Sequence, residues 1–461
     1  MRGAALQDTI AAVATPPGRG GIGIVRVSGS LAEEICERVF RPARADHPLL
    51  SHRFYFGHVV DPSNHELLDE AMAVLMRAPR TYTREDCLEI QVHGGRAVVQ
   101  EVLSAVISCG ARLAQPGEFT LRAFLNGRID LAQAEAVVDV VEARSRSALR
   151  IAQDQLQGAL SQTVEKWRAN ILEALSLVEA SIDFPEEELP ELGMRELMAI
   201  LEPCGEDLQR VLGSYTKGRL FKEGASVLIV GPVNVGKSSL LNALVGFERA
   251  IVTDAPGTTR DLVEEPLEWK GLPIRAVDTA GIRTPRDPVE ARGQELLKER
   301  VSSADLLVWV VDSSSPQPPL LGEASRWLEE KPCVVAWNKV DLPPRLEPSQ
   351  LPEPLRSRPL VRTSALRSLG VEELLDAVHR ELVANPEPSD RIIVHARHRV
   401  LLGESLAHLE RAKQMLMVQP QWQELLAEEL RASLGALDEL LGRGQPEEVL
   451  SAIFSKFCIG K

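Results

Sequence analysis

Hydrophobic and polar positions change their rhythm three times along the chain. Over residues 1–118, short apolar runs at 9–13, 22–27, 71–76 and 87–92 read as strands. Amphipathic stretches at 31–40 and 97–109 read as helices, and together they predict an α+β domain. Over 119–223 the apolar residues recur at helical spacing, most clearly through 130–142, with Asp183-Phe-Pro-Glu-Glu-Glu-Leu-Pro190 breaking the run as a turn. Strands and helices alternate again over 224–384, the pattern of a parallel α/β sheet. After Asn385-Pro-Glu-Pro-Ser389 the chain returns to helix at 401–416 and 422–441, filling 385–461. Two helical blocks flanking an α/β block predict a helical domain interrupted by an inserted one.

Composition narrows the classes. Hydrophobic residues make up 44% of the 461 and charged residues 26%, an ordinary globular balance. No apolar run reaches the roughly 18 residues of a membrane span, and Gln7 and Asp8 break the first apolar stretch too early for a secretory signal. Cys36, Cys87, Cys109, Cys204, Cys333 and Cys458 include no close pair, so a cytoplasmic, reducing location is expected. A net charge of −14 argues against holding nucleic acid by bulk charge, and 4% aromatics against a base-stacking platform.

The chemistry concentrates in the α/β block. Gly231-Pro-Val-Asn-Val-Gly236-Lys237-Ser238 fits G-x-x-x-x-G-K-[ST], with an apolar strand at 225–230 before it and a helix at 239–245, ended by Gly246, after it. Its glycines let backbone N–H groups curl around phosphate oxygens, to which the helix N-terminus adds its positive end. Asn234, Val235, Gly236 and Ser239 would line the phosphates, Lys237 reach the β- and γ-phosphates, and Ser238 bind Mg²⁺. A strand at 273–278 then ends in Asp278-Thr279-Ala280-Gly281, placed to hold Mg²⁺ through water and offer the Gly281 N–H to the γ-phosphate. A third strand ends in Asn338-Lys339-Val-Asp341, whose Asp341 carboxylate accepts two hydrogen bonds from guanine and none from adenine. Ser364, Ala365 and Leu366 follow a short strand at 360–363 and would offer backbone N–H to guanine O6. Four such segments in order, each at a strand end, identify a GTP-binding domain. Between the first two lies Thr253-Asp254-Ala255-Pro256-Gly257-Thr258-Thr259-Arg-Asp261, where a threonine hydroxyl completes the Mg²⁺ shell only while GTP is bound.

Catalysis departs from the commonest pattern. Ile282 stands where a water-positioning glutamine often follows Asp-x-x-Gly. Asn234 supplies an amide oxygen suited to a monovalent cation, and a K⁺ there would neutralise charge as an arginine finger does. Glu290, in Pro288-Val-Glu-Ala-Arg292, is a candidate to hold the attacking water, although its residue type alone fits a solvated carboxylate at a helix start better. Two weaker patterns carry little. Gly18-Arg-Gly-Gly-Ile-Gly23 fits G-x-G-x-x-G but leads into a strand where a dinucleotide site needs a helix. Cys458 sits fourth from the end, yet Gly460 and Lys461 do not suit prenylation. Cys458 reads either as a reactive or site-lining thiol near Lys456 and Lys461 or as a plain buried cysteine beside Phe454 and Phe457.

Motifs along the whole chain resemble one family. They are Thr15-Pro-Pro-Gly-Arg-Gly-Gly21, Pro116-Gly-Glu-Phe119, Ala123-Phe-Leu-Asn126, Asp130-Leu-Ala-Gln-Ala-Glu135, Ile182-Asp-Phe-Pro185, Asp254 to Asp261 and Phe457-Cys-Ile-Gly-Lys461. The family is that of the MnmE (TrmE) tRNA-modification GTPases. The resemblance implies an N-terminal folate-binding and dimerisation domain, a helical domain split by a Ras-like GTPase domain, and a homodimer. It implies K⁺-stimulated hydrolysis with K⁺ on Asn234, Thr253, Ala255 and Thr258, Mg²⁺ on Ser238 and Thr259, and Glu290 orienting the water. It further implies an FAD-dependent partner subunit (MnmG/GidA) in a heterotetramer, FAD being bound by that partner. The product would be an aminomethyl or carboxymethylaminomethyl group on C5 of a tRNA wobble uridine. The one-carbon donor would be a tetrahydrofolate derivative, 5-formyl or methylene, on Arg26, Glu89, Arg128 and Lys461. Arg128 stands where part of the family has lysine, keeping the charge but offering a planar fork. Without the resemblance, Arg26 and Glu89 read as solvated strand-face charges. The arginines Arg144, Arg146 and Arg150, and Arg391, Arg397 and Arg399, are the nearest thing to a basic patch for tRNA. A ribosome-assembly switch, the rival reading, calls for an RNA-clamping appendage that the sequence after the GTPase block does not contain.

Overall fold

A computed structural model describes residues 8–44, 49–183, 191–249, 264–278, 290–322, 324–383, 393–418 and 423–460. It divides into two compact units, one of residues 1–138, 155–172 and 431–461, the other of 139–154 and 173–430.

In the first unit the chain runs β1 (Ile10–Val13), β2 (Ile22–Ser28), α1 (Ala32–Val39), β3 (Phe40–Pro42), β4 (Arg53–Val60), β5 (Leu67–Met76), β6 (Cys87–His93), α2 (Arg96–Ser108), β7 (Arg112–Leu113) and α3 (Glu118–Leu125). The strands form one sheet in the order β3-β4-β5-β6-β2-β1-β7, antiparallel except where β7 joins β1. Alternation sends Val25, Val27, Leu88 and Ile90 into a core with Ile35 and Val39 of α1 and Val102 and Val106 of α2. The same alternation aims Arg26 and Glu89, paired in register, at the other face. G-x-G-x-x-G at 18–23 runs into β2, as its reading as a strand requires. Helices α4 (Leu131–Glu142), α5 (Arg146–Leu156) and α6 (Ala159–Asp183) follow; residues 184–190, most of the expected turn, lie outside the described residues.

The second unit contains α7 (Glu191–Gly213), α8 (Tyr215–Glu223), β8 (Ala225–Val230), α9 (Lys237–Arg249), β9 (Glu264–Trp269), β10 (Leu272–Asp278), α10 (Glu290–Ser303), β11 (Leu306–Asp312), α11 (Ala324–Glu330), β12 (Cys333–Asn338), α12 (Glu353–Arg356), β13 (Leu360–Arg362), α13 (Val371–Leu382) and α14 (Ala396–Val418). Its sheet has the order β13-β12-β11-β8-β10-β9, parallel apart from the β9–β10 hairpin. One face packs Val227, Ile229, Val308 and Val310 against Leu240 and Leu244 of α9 and Leu374 and Val378 of α13. The other buries Leu228, Leu307, Trp309 and Val335 with Val301 and Leu328. Helix α9 differs from its expected bounds: it starts at Lys237 and continues through Gly246 to Arg249, since a lone glycine weakens a helix by only about 1 kcal/mol. Helices α7 and α14 pair through apolar stripes that bury Leu197, Leu201 and Leu208 on one and Leu402, Leu409 and Leu416 on the other.

The chain ends with α15 (Gln423–Leu440) and α16 (Glu447–Phe454). Within the first unit, Leu450, Phe454 and Phe457 join Ala123 and Leu131 in one cluster. Gly117 permits this close approach: a Cβ there would lie 2.5 Å from the Phe454 carbonyl. The chain thus has an α+β sheet domain and helical segments interrupted by a parallel α/β domain. No helix among the described residues is long and apolar enough to cross a membrane.

Candidate functional site

The loop between β8 and α9 is built from left-handed residues. Gly231 has φ +146°, Asn234 +64° and Gly236 +98°. Glycine is required at both ends for lack of space as well. A Cβ on Gly231 would lie 2.6 Å from the Val310 carbonyl, and one on Gly236 2.5 Å from Asn338 Nδ2. The curled loop and the start of α9 together make an anion cradle of backbone N–H groups. Lys237 is only 9% exposed, and its Nζ donates to the carbonyls of Gly231 (3.0 Å) and Pro232 (2.7 Å). Burial pushes its pKa down, with the Asp278 carboxylate opposing. The Ser238 hydroxyl donates to Asp278 Oδ2 at 2.5 Å, so a hydroxyl and a carboxylate meet beside the cradle. These are hard oxygen donors, the set that Mg²⁺ takes together with phosphate oxygens and water.

Asn338, 1% exposed at the end of β12, joins three loops. Its Nδ2 donates to the Val235 carbonyl (2.9 Å), and its Oδ1 accepts from the Ala365 N–H (3.0 Å) and the Thr363 hydroxyl (3.3 Å). Lys339, at φ +63°, donates from Nζ to the Asn234 carbonyl (2.8 Å) and to Asp312 Oδ2 (2.6 Å). Asp341 is oriented by the Ser364 hydroxyl at 2.6 Å, which holds its carboxyl below the ordinary range and keeps it an acceptor. Of the three amides expected at guanine O6, the Ser364 N–H donates to Leu369 and the Ala365 N–H to Asn338, leaving the Leu366 N–H, on a residue 86% exposed.

Thr253 to Thr259, Thr279, Ala280, Gly281 and Ile282 lie outside the described residues; Glu290 begins α10, and its side chain is outside them. Sequence reasoning passed over Asp312. Its signal is a carboxylate closing the apolar run Leu306–Val311, and its partner Lys339 is 27 residues away.

A second polar cluster lies in the first unit. Arg26 Nε donates to Glu89 Oε1 at 2.8 Å, its NH1 reaches the Gly460 carbonyl at 3.1 Å, and its guanidinium lies 5.8 Å from the Phe119 ring centre. Arg26 and Glu89 are therefore an ion pair bonded to the C-terminal tail, where residue type alone fitted separate solvated charges. Gly460, at φ +92°, lies so close to β1 that a Cβ would come within 2.4 Å of the Val13 carbonyl. Arg128 stacks separately on Tyr82 at 4.7 Å, and the Tyr82 hydroxyl bonds Thr120 at 2.9 Å. Consecutive residues of α3, Phe119 and Thr120, thus support both arginines. Tyr82 was missed because one aromatic in a loop has no periodic signal. Cys458 is the exposed cysteine and the other five are buried; burial pushes Cys36 and Cys333 up to about 12. Lys461 lies outside the described residues.

Residues 131–458 match the MnmE helical domain, and residues 9–128 match the GTP-binding protein TrmE N-terminus. The tRNA modification GTPase MnmE of Geobacter sulfurreducens is 47% identical over 99% of this chain and 100% of its own length. The proteins of the same name from Geotalea uraniireducens and Geobacter metallireducens are each 44% identical over 99% of this chain and 100% of theirs. With a family model spanning most of the chain and full-length relatives at this identity, the chain belongs to the MnmE family of tRNA modification GTPases.

Proposed function

We propose that the chain is a K⁺-assisted GTPase that drives modification of C5 of the wobble uridine in certain tRNAs. It acts in the cytoplasm as a homodimer with an FAD-dependent partner subunit of the MnmG/GidA kind, and a tetrahydrofolate derivative supplies the one-carbon unit. GTP hydrolysis with Mg²⁺ belongs to the family. The finer reading rests on what each cluster is built to do.

The observation that carries it is the interlock of the two loops around Asn234. Lys339 grips the Asn234 carbonyl and Asn338 grips that of Val235, so a base reader and a phosphate cradle grip one nucleotide from both ends. Lys237 would neutralise charge on the β- and γ-phosphates, and Ser238 and Thr259 would hold Mg²⁺. Asn234, Thr253, Ala255 and Thr258 would hold K⁺, which supplies positive charge where phosphate charge develops. Glu290 orients the water that Ile282 cannot. In the first unit, the Arg26–Glu89 pair would meet the donor-rich ring edge of a ligand such as folate, and Arg128, with Lys461 outside the described residues, would meet its acid groups.

A strain lacking this gene tests the reading through nucleoside analysis of its tRNA. The C5-modified wobble uridine should vanish, return with the wild-type gene, and stay absent with Asn234→Ala or Arg26→Ala. Unchanged modification in the deletion strain would leave a GTP-controlled switch as the better account.

A further inference from the structure

Asp312 closes β11 and has a fixed carboxylate plane. Its Oδ1 accepts from the Ser314 N–H (2.9 Å) and the Ser314 hydroxyl (2.6 Å), leaving Oδ2 for Lys339 Nζ at 2.6 Å. The turn carrying it is also fixed. The Ser313 N–H donates to the Asn338 carbonyl (2.9 Å), and the Ser313 carbonyl accepts from Arg345 (2.9 Å) and Leu346 (3.1 Å). Burial works to raise the Asp312 carboxyl, but Lys339 and Ser314 outweigh it and keep it an anion.

Lys339 needs such a partner. A lysine ammonium sits on a flexible four-carbon stem and, left alone, turns to water. Here it bridges Asp312 and the Asn234 carbonyl, 2.8 Å away. Lys339 and Asn234, at φ +63° and +64°, both adopt a conformation that side-chain-bearing residues avoid. Two such residues persist in contact only where their surroundings hold them.

We propose that Asp312 is a positioning residue of the GTPase reaction: it fixes Lys339 on the Asn234 carbonyl and so locks the base-reading loop to the phosphate loop. A nucleotide then meets both loops at their final spacing, without first ordering one against the other. The proposal rests on the reading of the two loops as one nucleotide site.

The test uses the full-length protein with Asp312→Asn, Lys339→Ala, the double variant, and Ser314→Ala. The last removes one bond to the carboxylate and leaves the charge. Release of a fluorescent GDP is timed by competition with GTP. Asp312→Asn should speed release about tenfold, as loss of one charge-assisted bond does, and Ser314→Ala by about two- to threefold. The double variant should release no faster than Lys339→Ala alone, since the carboxylate acts through the lysine. Guanine preference over xanthine should not change, because Asp341 is intact; a merely loosened domain would lose it. Release from Asp312→Asn within twofold of wild type, or effects that multiply in the double variant, would overturn the proposal. A wild-type chain that binds no guanine nucleotide would instead refute the site itself.

Discussion

Gly236→Ala probes the interlock at its tightest point. The new Cβ would lie 2.5 Å from Asn338 Nδ2, which is 3.4 − 2.5 = 0.9 Å inside ordinary contact, at a residue held at φ +98°. Two costs follow. A Cβ in the left-handed region costs about 1–2 kcal/mol. Displacing the buried Asn338 amide breaks its 2.9 Å bond to Val235 and leaves a donor unpaired, for about 1–3 kcal/mol more. The sum, about 2–5 kcal/mol, predicts GDP affinity weaker by at least about thirtyfold. Titration with fluorescent GDP measures it, and far-UV circular dichroism confirms that the chain is folded. The clash belongs to one pair of side chains, so a double-mutant cycle isolates it. On an Asn338→Ala background, Gly236→Ala should add only the left-handed cost. Affinity within threefold of wild type for Gly236→Ala, or an equal penalty on both backgrounds, would refute the reasoning.

Asp341→Asn should weaken GTP and favour xanthine nucleotides, because the new amide donates to the xanthine 2-oxo group; competition binding with both nucleotides decides it. Glu118→Gln tests the buried ion network of the first unit, where Arg122, fully buried, bonds Glu118, Asp8 and Glu85. Burial works to raise the Glu118 carboxyl, but Arg112, the Gln115 N–H and Arg122 outweigh it and hold it below its ordinary 4.5. A depressed pKa contributes stability in full above the ordinary value and loses it as pH falls through the folded value. Melting temperature against pH should therefore fall less steeply below about pH 4.5 in Glu118→Gln than in wild type, and parallel curves would count against that role.

Sequence revealed what is local and left hidden what is not. The phosphate loop, Asp278 and Asn338 were legible because each is a short spacing after an apolar strand, and β8, β10 and β12 end at those residues. Strand β4 escaped because Phe54 and Phe56, on one face, are exposed and apolar while Tyr55 and Val59, on the other, are buried, so the run has no polar–apolar alternation. Strand β7 is two residues long, too short for a pattern, and β3 follows α1 without a turn. Asn338 reads in sequence as a base-loop residue, whereas its side chain ties Val235, Thr363 and Ala365 together, contacts 25 to 103 residues apart that no local pattern shows. The Arg26 contact with Gly460 spans 434 residues, beyond any periodicity. Gly246 was a misleading stop because a Cβ there would meet no atom of the described residues within 4 Å, and Phe247 beyond it still packs on the core.

The central claim, a GTPase that carries its own cation-assisted catalytic group, is tested most directly by turnover of the purified chain in K⁺ and in Na⁺ at equal ionic strength. The account predicts fast turnover in K⁺, slow turnover in Na⁺, and Asn234→Ala slow in both while still binding GDP. Equal rates in the two salts, or an Asn234→Ala variant that retains its K⁺ response, would contradict it.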